Sequence, residues 1–449
     1  MKKKLGVWML TALVVGNMMG SGIFLLPASL AQYGTVTVFS WIGTALGSIL
    51  LALVFAKLAI LFPQTGGPYI YCKKGFGDFI GFQVAYNYWL YMWVGNAAIA
   101  VAFTGYLSTF WTLLATDRLL AFFVTAAAVW SLSIVNIVGV HFAGLVQTVL
   151  TILKFSPLIL ITIIGFFFIE GKNLSFFNVS NMSTFQAFSS GAMLTLWAFL
   201  GMESASIPAD DVENPQKNIP RATLLGTVLT ACVYIASTIA IMGVVPISTL
   251  RNSATPFADL AGHIFGTWGR IGMGAAAVIA CFGALNGWIL LQGQVPLAAA
   301  KDDLFPRKFA QVSKTRAPVF GIVTSSICVT VLLVLNFSKG LVEQFTFIIS
   351  MATFAAIVAY LYTSIAEFVI YAQHGEKCAG TSIAKSLVVS GLAFVYTFWM
   401  MISSGRDILF YGTVLMFTSI PVYGWMKWKK RSKALHKSED QDLGHQLRR

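Results

Sequence analysis

A long apolar stretch near the start of the chain is interrupted by Gly16-Asn-Met-Met-Gly-Ser-Gly22, with apolar residues on both sides and Pro27 closing the second half. A helix in hydrocarbon gains nothing from three glycines, an asparagine and a serine. Each glycine loosens the backbone, and each freed N–H or C=O costs several kcal/mol unless something satisfies it. Such a break is tolerated where it lines a water-filled cavity or holds a solute. It is therefore a binding-site signal.

The surroundings of the break are those of a membrane. The chain is 57% hydrophobic and 10% charged, with a mean hydropathy of +0.77, more apolar surface than a soluble core of this length needs. Stretches of about 20 residues, enough to span roughly 30 Å of hydrocarbon, recur from end to end. Twelve begin near Gly6, Val36, Phe79, Leu119, Leu145, Ala187, Ala222, Ile271, Val319, Gln344, Ser382 and Asp407. The expected fold is an all-α polytopic membrane protein of twelve transmembrane helices. The first stretch follows Lys2-Lys3-Lys4 but is too long for a signal peptide and ends in no small-x-small cleavage site, so it is expected to remain as a helix.

The net charge of +13 follows from topology rather than from nucleic-acid binding. With the N-terminus inside, most of the 30 Lys and Arg fall in cytoplasmic loops and tails, including Lys73, Lys74, Lys301, Arg307, Lys308 and the run from Lys427 to Lys437. Outside lie Arg118, Lys172, Arg251, Arg270, Lys339 and Arg406. This asymmetry is expected to place both termini in the cytoplasm. Residues 1–428 read as one transmembrane domain, and 429–449 as a disordered basic tail facing the lipid bilayer. The five cysteines and five histidines are scattered, without disulfide or metal-ligand spacing. No phosphate loop, HExxH or Ser/His/Asp set suggests catalysis or a cofactor.

A second break lies in the sixth stretch, Leu194-Thr-Leu-Trp-Ala-Phe-Leu-Gly-Met-Glu-Ser-Ala-Ser-Ile-Pro208, where a glycine and polar residues again interrupt apolar sequence. Five spans separate the breaks, so the units that carry them, about 6–169 and 187–373, have opposite topology, with two further helices over about 382–427. Paired broken helices in inverted halves are the best sequence pointer to a midplane site in secondary transporters. The N–H groups opening at Gly20-Ser21-Gly22 suit a carboxylate, and the C=O groups ending near Phe199 to Gly201 suit an ammonium. An α-amino acid carries both. Glu203, a charge near the bilayer centre that costs about 3 kcal/mol on insertion scales, is a functional residue by default. Glu367 and Lys57, near helix ends, read as structural.

These segments resemble the amino acid–polyamine–organocation superfamily of transporters over about residues 6–428. The resemblance rests on Gly16 to Pro27, Gly66-Gly-Pro-Tyr-Ile-Tyr71, Thr195 to Ser204, Asp211-Val-Glu-Asn-Pro-Gln-Lys-Asn-Ile-Pro220, and Gly287-Trp288 followed by Asp303-Leu-Phe-Pro306. The branch looks like the arginine/agmatine and ornithine/putrescine antiporters. It implies the leucine-transporter-like 5+5 inverted repeat with broken helices 1 and 6, exchange by alternating access, and a homodimer. It further implies that Met18, Gly20, Ser21, Gly22, Asn96, Trp197, Leu200 and Trp288 bind substrate, with Trp197 closing over it and Trp288 as the floor. Their indole faces can attract a guanidinium or ammonium by about 2 kcal/mol when desolvated. Tyr88, Glu203 and Tyr360 resemble a cluster that gates the inner path.

Two positions depart from the arginine antiporter. Ala352 stands where that branch offers a serine, and Lys154 stands where broader-range relatives place a lysine at the site of a sodium ion. The expected function is exchange of a cationic amino acid for its decarboxylated amine. The rival is a broader amino acid transporter, proton-coupled or exchanging, that uses Lys154 in place of sodium. A channel would want repeated polar rings along a pore, and a membrane enzyme would want an assembled nucleophile or metal; neither pattern is present.

Overall fold

The computed structural model describes residues 5–64, 67–138, 156–206, 212–315, 317–374 and 383–446. Among these there is no strand, and one isolated bridge joins Leu5 to Val212. Nine helices among the described residues are long and apolar enough to cross a membrane, or ten spans if a bent pair near the N-terminus counts as one. Large apolar side chains such as Trp8, Leu46, Phe123, Val331 and Val395 stand exposed on their outer faces. A water-soluble surface would not carry so continuous an apolar coat, and the chain is a multi-pass membrane protein.

The bent pair is the first apolar stretch, divided as its glycines require into α1 (Val7–Met18) and α2 (Ser21–Leu30), with a 42° bend between them. It is followed by α3 (Val36–Leu61), the short α4 (Pro68–Phe76), α5 (Asp78–Leu107) and α6 (Arg118–Val138). Of the fifth stretch only α7 (Ser156–Phe168) is described. The sixth, α8 (Thr184–Phe199), stops after 16 residues at the second break. A capping box starts it, with Ser183 and Gln186 satisfying each other's backbone N–H groups. Then come α9 (Pro215–Val244), α10 (Pro256–Lys301), α11 (Val319–Asn336), α12 (Leu341–His374), α13 (Ile383–Ile402), α14 (Arg406–Phe417) and α15 (Ser419–Gln446). Within α10 the backbone leaves the helix at Gly266, just before the span expected from Ile271. The helix α15 continues to Gln446, a correction to the disordered tail expected from its charge: residues 427–446 hold no proline, and the Lys, Arg and Gln that dominate there are good helix formers.

Position in the bundle follows burial. In the most apolar window of α5, 89% of residues are buried, against 17% for 406–432. Helix α5 is therefore the axis, flanked by α10 and α12, while α3 packs against α8 and α9 and the last two helices lie at the periphery. Lys427 and Lys430 pair with Asp78 and Asp303 at 3.6 and 3.2 Å, exposed contacts of small energetic weight. Glu367 is held by the hydroxyls of Ser386 and Ser390 on α13, a packing role like that read from its position. In α4, Tyr69 donates to Asp302 Oδ2 at 3.0 Å; burial and that carboxylate raise its phenol above the ordinary range. Cys72, Cys232, Cys281 and Cys328 form no disulfide.

Candidate functional site

Both breaks meet at the centre of the bundle. Helix α1 ends at Met18, and Gly20 N–H turns back onto Met18 O at 2.9 Å. No side chain caps the first turn of α2, so its leading N–H groups form a positive helix end without intrahelical partners. On the opposite side α8 ends at Phe199, and Leu200 is extended (φ −63°, ψ 135°). Gly201 has φ +101°, a left-handed conformation that a side chain disfavours. Beyond it the chain forms the tight turn Met202–Ser206. A Cβ on Gly201 would lie 3.4 Å from Asn17 Cβ, so the two breaks are in contact.

One side chain joins them. Tyr234 of α9, fully buried, directs its hydroxyl to Met18 O at 2.7 Å and Ala198 O at 3.1 Å. These carbonyls belong to the last turns of α1 and α8, where intrahelical partners run out. The phenol is held in place by Trp41 at 5.0 Å and Phe199 at 5.8 Å. Part of the carbonyl array that sequence assigned to an ammonium is thus already engaged by Tyr234.

A cavity opens beside the breaks, with about 340 Å³ of empty space counted out to its mouth. Its walls include Asn17, Met18, Gly20 and Gly22 from the first break, Trp197 and Leu200 from the second, and Trp288 from α10. Helix α5 supplies Tyr91, Met92, Gly95 and Ile99. The indole of Trp197 occupies room that two glycines leave. A Cβ on Gly95 would stand 2.6 Å from its Cη2, and one on Gly22 would stand 3.1 Å from its Cδ1. No carboxylate is among the walls, so a cationic ligand arm would meet aromatic faces there.

Next to the cavity lies a buried carboxylate. Glu203 is 0% exposed, and it accepts hydrogen bonds from Tyr88 at 2.5 Å and Tyr360 at 2.6 Å, one on each oxygen. Two phenols on different helices thus solvate a charge that the membrane would otherwise expel. The cluster links α5, α12 and the turn after α8. Tyr88 meets Tyr91 edge-on at 4.9 Å, and Tyr91 meets Trp288 edge-on at 5.7 Å, so a chain of rings runs from Glu203 to the cavity wall.

The residues singled out from sequence divide accordingly. Met18, Gly20, Gly22, Trp197, Leu200 and Trp288 line the cavity, and Tyr88, Glu203 and Tyr360 form one cluster. Asn96 is not among the cavity walls: its Nδ2 donates to Gln292 Oε1 at 2.7 Å, and Gln292 continues to Ser326 at 3.2 Å. The backbone of Ser21 opens α2, while its side chain and all of Lys154 lie outside what the structure describes. Ala352 is fully buried in α12. Sequence reasoning passed over Tyr91, Gly95 and Tyr234. Two tyrosines and a glycine among apolar helix residues carry no signal of their own. Among the described residues no cluster of His, Cys, Asp and Glu could hold a metal ion.

Comparison with known proteins identifies the architecture. The family model for amino acid permeases matches residues 5–428. The chain belongs to the amino acid permease family. It is 34% identical over 428 residues to the putrescine transporter PotE of Haemophilus influenzae, covering 95% of this chain and 98% of the relative. To PotE of Escherichia coli it is 34% identical over 438 residues, covering 96% and 98%. To the Escherichia coli cadaverine/lysine antiporter it is 36% identical over 334 residues, covering 74% and 75%. As a permease the chain is a membrane transporter of small molecules and not an enzyme.

Proposed function

We propose that this permease exchanges a cationic amino acid for its decarboxylated amine, of the arginine/agmatine or ornithine/putrescine type, across the inner membrane by alternating access. The observation that carries the reading is the cavity where the two helix breaks meet. The unpaired N–H end of α2 receives a carboxylate, and Trp197 and Trp288 offer indole faces to an ammonium or guanidinium. The similarity to transporters named for putrescine and for cadaverine and lysine supports the same substrate class. An amine lacking the carboxylate still meets the aromatic faces, which is the property an amino acid–amine exchanger needs.

In this reading the chain has twelve spans, with α7 completing the fifth and α8 with the turn after it forming the sixth. The 5+5 inverted repeat covers about 6–169 and 187–373, and both termini are cytoplasmic. Ser21 adds to the carboxylate end, Asn96 becomes a substrate contact on closure, Tyr88, Glu203 and Tyr360 gate the inner path, and the protein works as a homodimer. Counterflow in proteoliposomes tests the core of it. An exchanger loaded with unlabelled amine accumulates labelled cationic amino acid, and empty vesicles do not. Equal uptake into loaded and empty vesicles would overturn the exchange reading.

A further inference from the structure

Tyr91 shares one face of α5 with Tyr88 and Gly95, at the i, i+3, i+7 spacing that brings helical side chains into line. Its two neighbours on that face do opposite things. Tyr88 is bonded to Glu203, and Gly95 leaves room for the indole of Trp197. Between them the phenol of Tyr91 takes room away. It lines the cavity and is fixed edge-on against Tyr88 at 69° and against Trp288 at 74°. Swinging it aside would disturb either Trp288 or the phenol that holds Glu203. The other α5 side chains at the wall, Met92 and Ile99, contrast with it: a methionine adapts its shape, whereas an aromatic ring is rigid. The Tyr91 hydroxyl itself is buried out of reach of solvent, so what the residue offers the cavity is its ring.

We infer that Tyr91 sets the length of the transported molecule. Its ring is the stop that limits how far a side chain or diamine reaches beside Trp288. The choice of ligands rests on the exchanger reading above; the stop itself does not. One methylene too many in an apolar pocket changes selectivity by about 10–200-fold, and a rigid wall makes that limit sharp.

The test is competition binding on the purified full chain with two homologous series, straight-chain α,ω-diamines and straight-chain α-amino acids of increasing length. The wild type shows a length beyond which affinity falls. In Tyr91→Ala that length increases by at least one methylene, with the long-to-short affinity ratio rising roughly ten-fold or more. Tyr91→Leu, which retains apolar bulk for folding, shifts it the same way by less. Tyr91→Phe, which retains the ring, keeps the length limit. Unchanged length ratios in folded Ala and Leu variants would overturn the inference. If the protein binds neutral amino acids and no diamine, the substrate reading fails, and the length shift in the neutral series still decides the role of Tyr91.

Discussion

The indole of Trp197 lies against Gly95 so closely that a single added methyl carbon would stand 2.6 Å from its Cη2. The glycine is a molded seat for the ring on the central helix. A side chain at this position would displace an indole that lines the cavity.

Gly95→Ala is therefore expected to weaken substrate binding through Trp197, by the roughly 1–3 kcal/mol that overpacking costs. Gly22→Ala, with 3.1 Å to the same ring, should follow in direction. Gly20→Ala meets only Ala284 Cβ at 3.8 Å, an ordinary contact, so it should leave the indole in place and stay as stable as the wild type. Equilibrium binding of the Gly95 and Gly22 variants checks the order. A Gly22 variant weaker than the Gly95 variant would contradict the steric account.

Trp288→Ala should cost about 2 kcal/mol of binding if its face attracts a cationic arm. Trp288→Phe should recover part of the loss. The measurement is an affinity ratio between an amine and a neutral analogue of equal length. A loss of the same size for both analogues would assign the effect to packing rather than to charge.

Removing the Tyr234 hydroxyl leaves buried carbonyls of Met18 and Ala198 without that donor. Tyr234→Phe should destabilise the protein by about 1–3 kcal/mol and lower turnover more than affinity, because it loosens the joint between the two breaks. Thermal unfolding in detergent and counterflow rates check this. An unchanged unfolding midpoint would show that the carbonyls find other donors.

Glu203 and Lys154 divide the two coupling hypotheses. If Glu203 is the pH-sensitive gate, Glu203→Gln flattens the pH profile of exchange and Lys154→Ala leaves it in place. If coupling follows the broader-range branch, Lys154→Ala abolishes transport or its pH dependence and Glu203→Gln is mild. The two phenols on Glu203 favour the first outcome, since Gln keeps one acceptor and loses the titration. Wild-type profiles in both variants would exclude both residues.

Both helix interruptions were legible in the sequence because glycine and polar residues in hydrocarbon have few other uses. The cluster of Tyr88, Glu203 and Tyr360 was legible through the family resemblance, and the structure brings its members together. The direction of Asn96 was not, because a neighbouring residue on a helix points about 100° away: Gly95 faces the cavity and Asn96 faces Gln292. Tyr91 and Tyr234 escaped notice because a tyrosine in an apolar helix looks like packing until the carbonyls and rings around it are known. The helix continuing to Gln446 escaped because net charge conceals a local preference for helix.

Tyr234 has one hydroxyl hydrogen and two carbonyls to serve. At any instant at least one of the two contacts is the weaker, and a shared proton is easily ceded to either side. If α1 and α8 part during transport, the hydroxyl can follow one carbonyl and complete that bond as it releases the other, with little net loss at the point that joins them. A residue with a donor for each end would rivet them; a phenol lets them swivel.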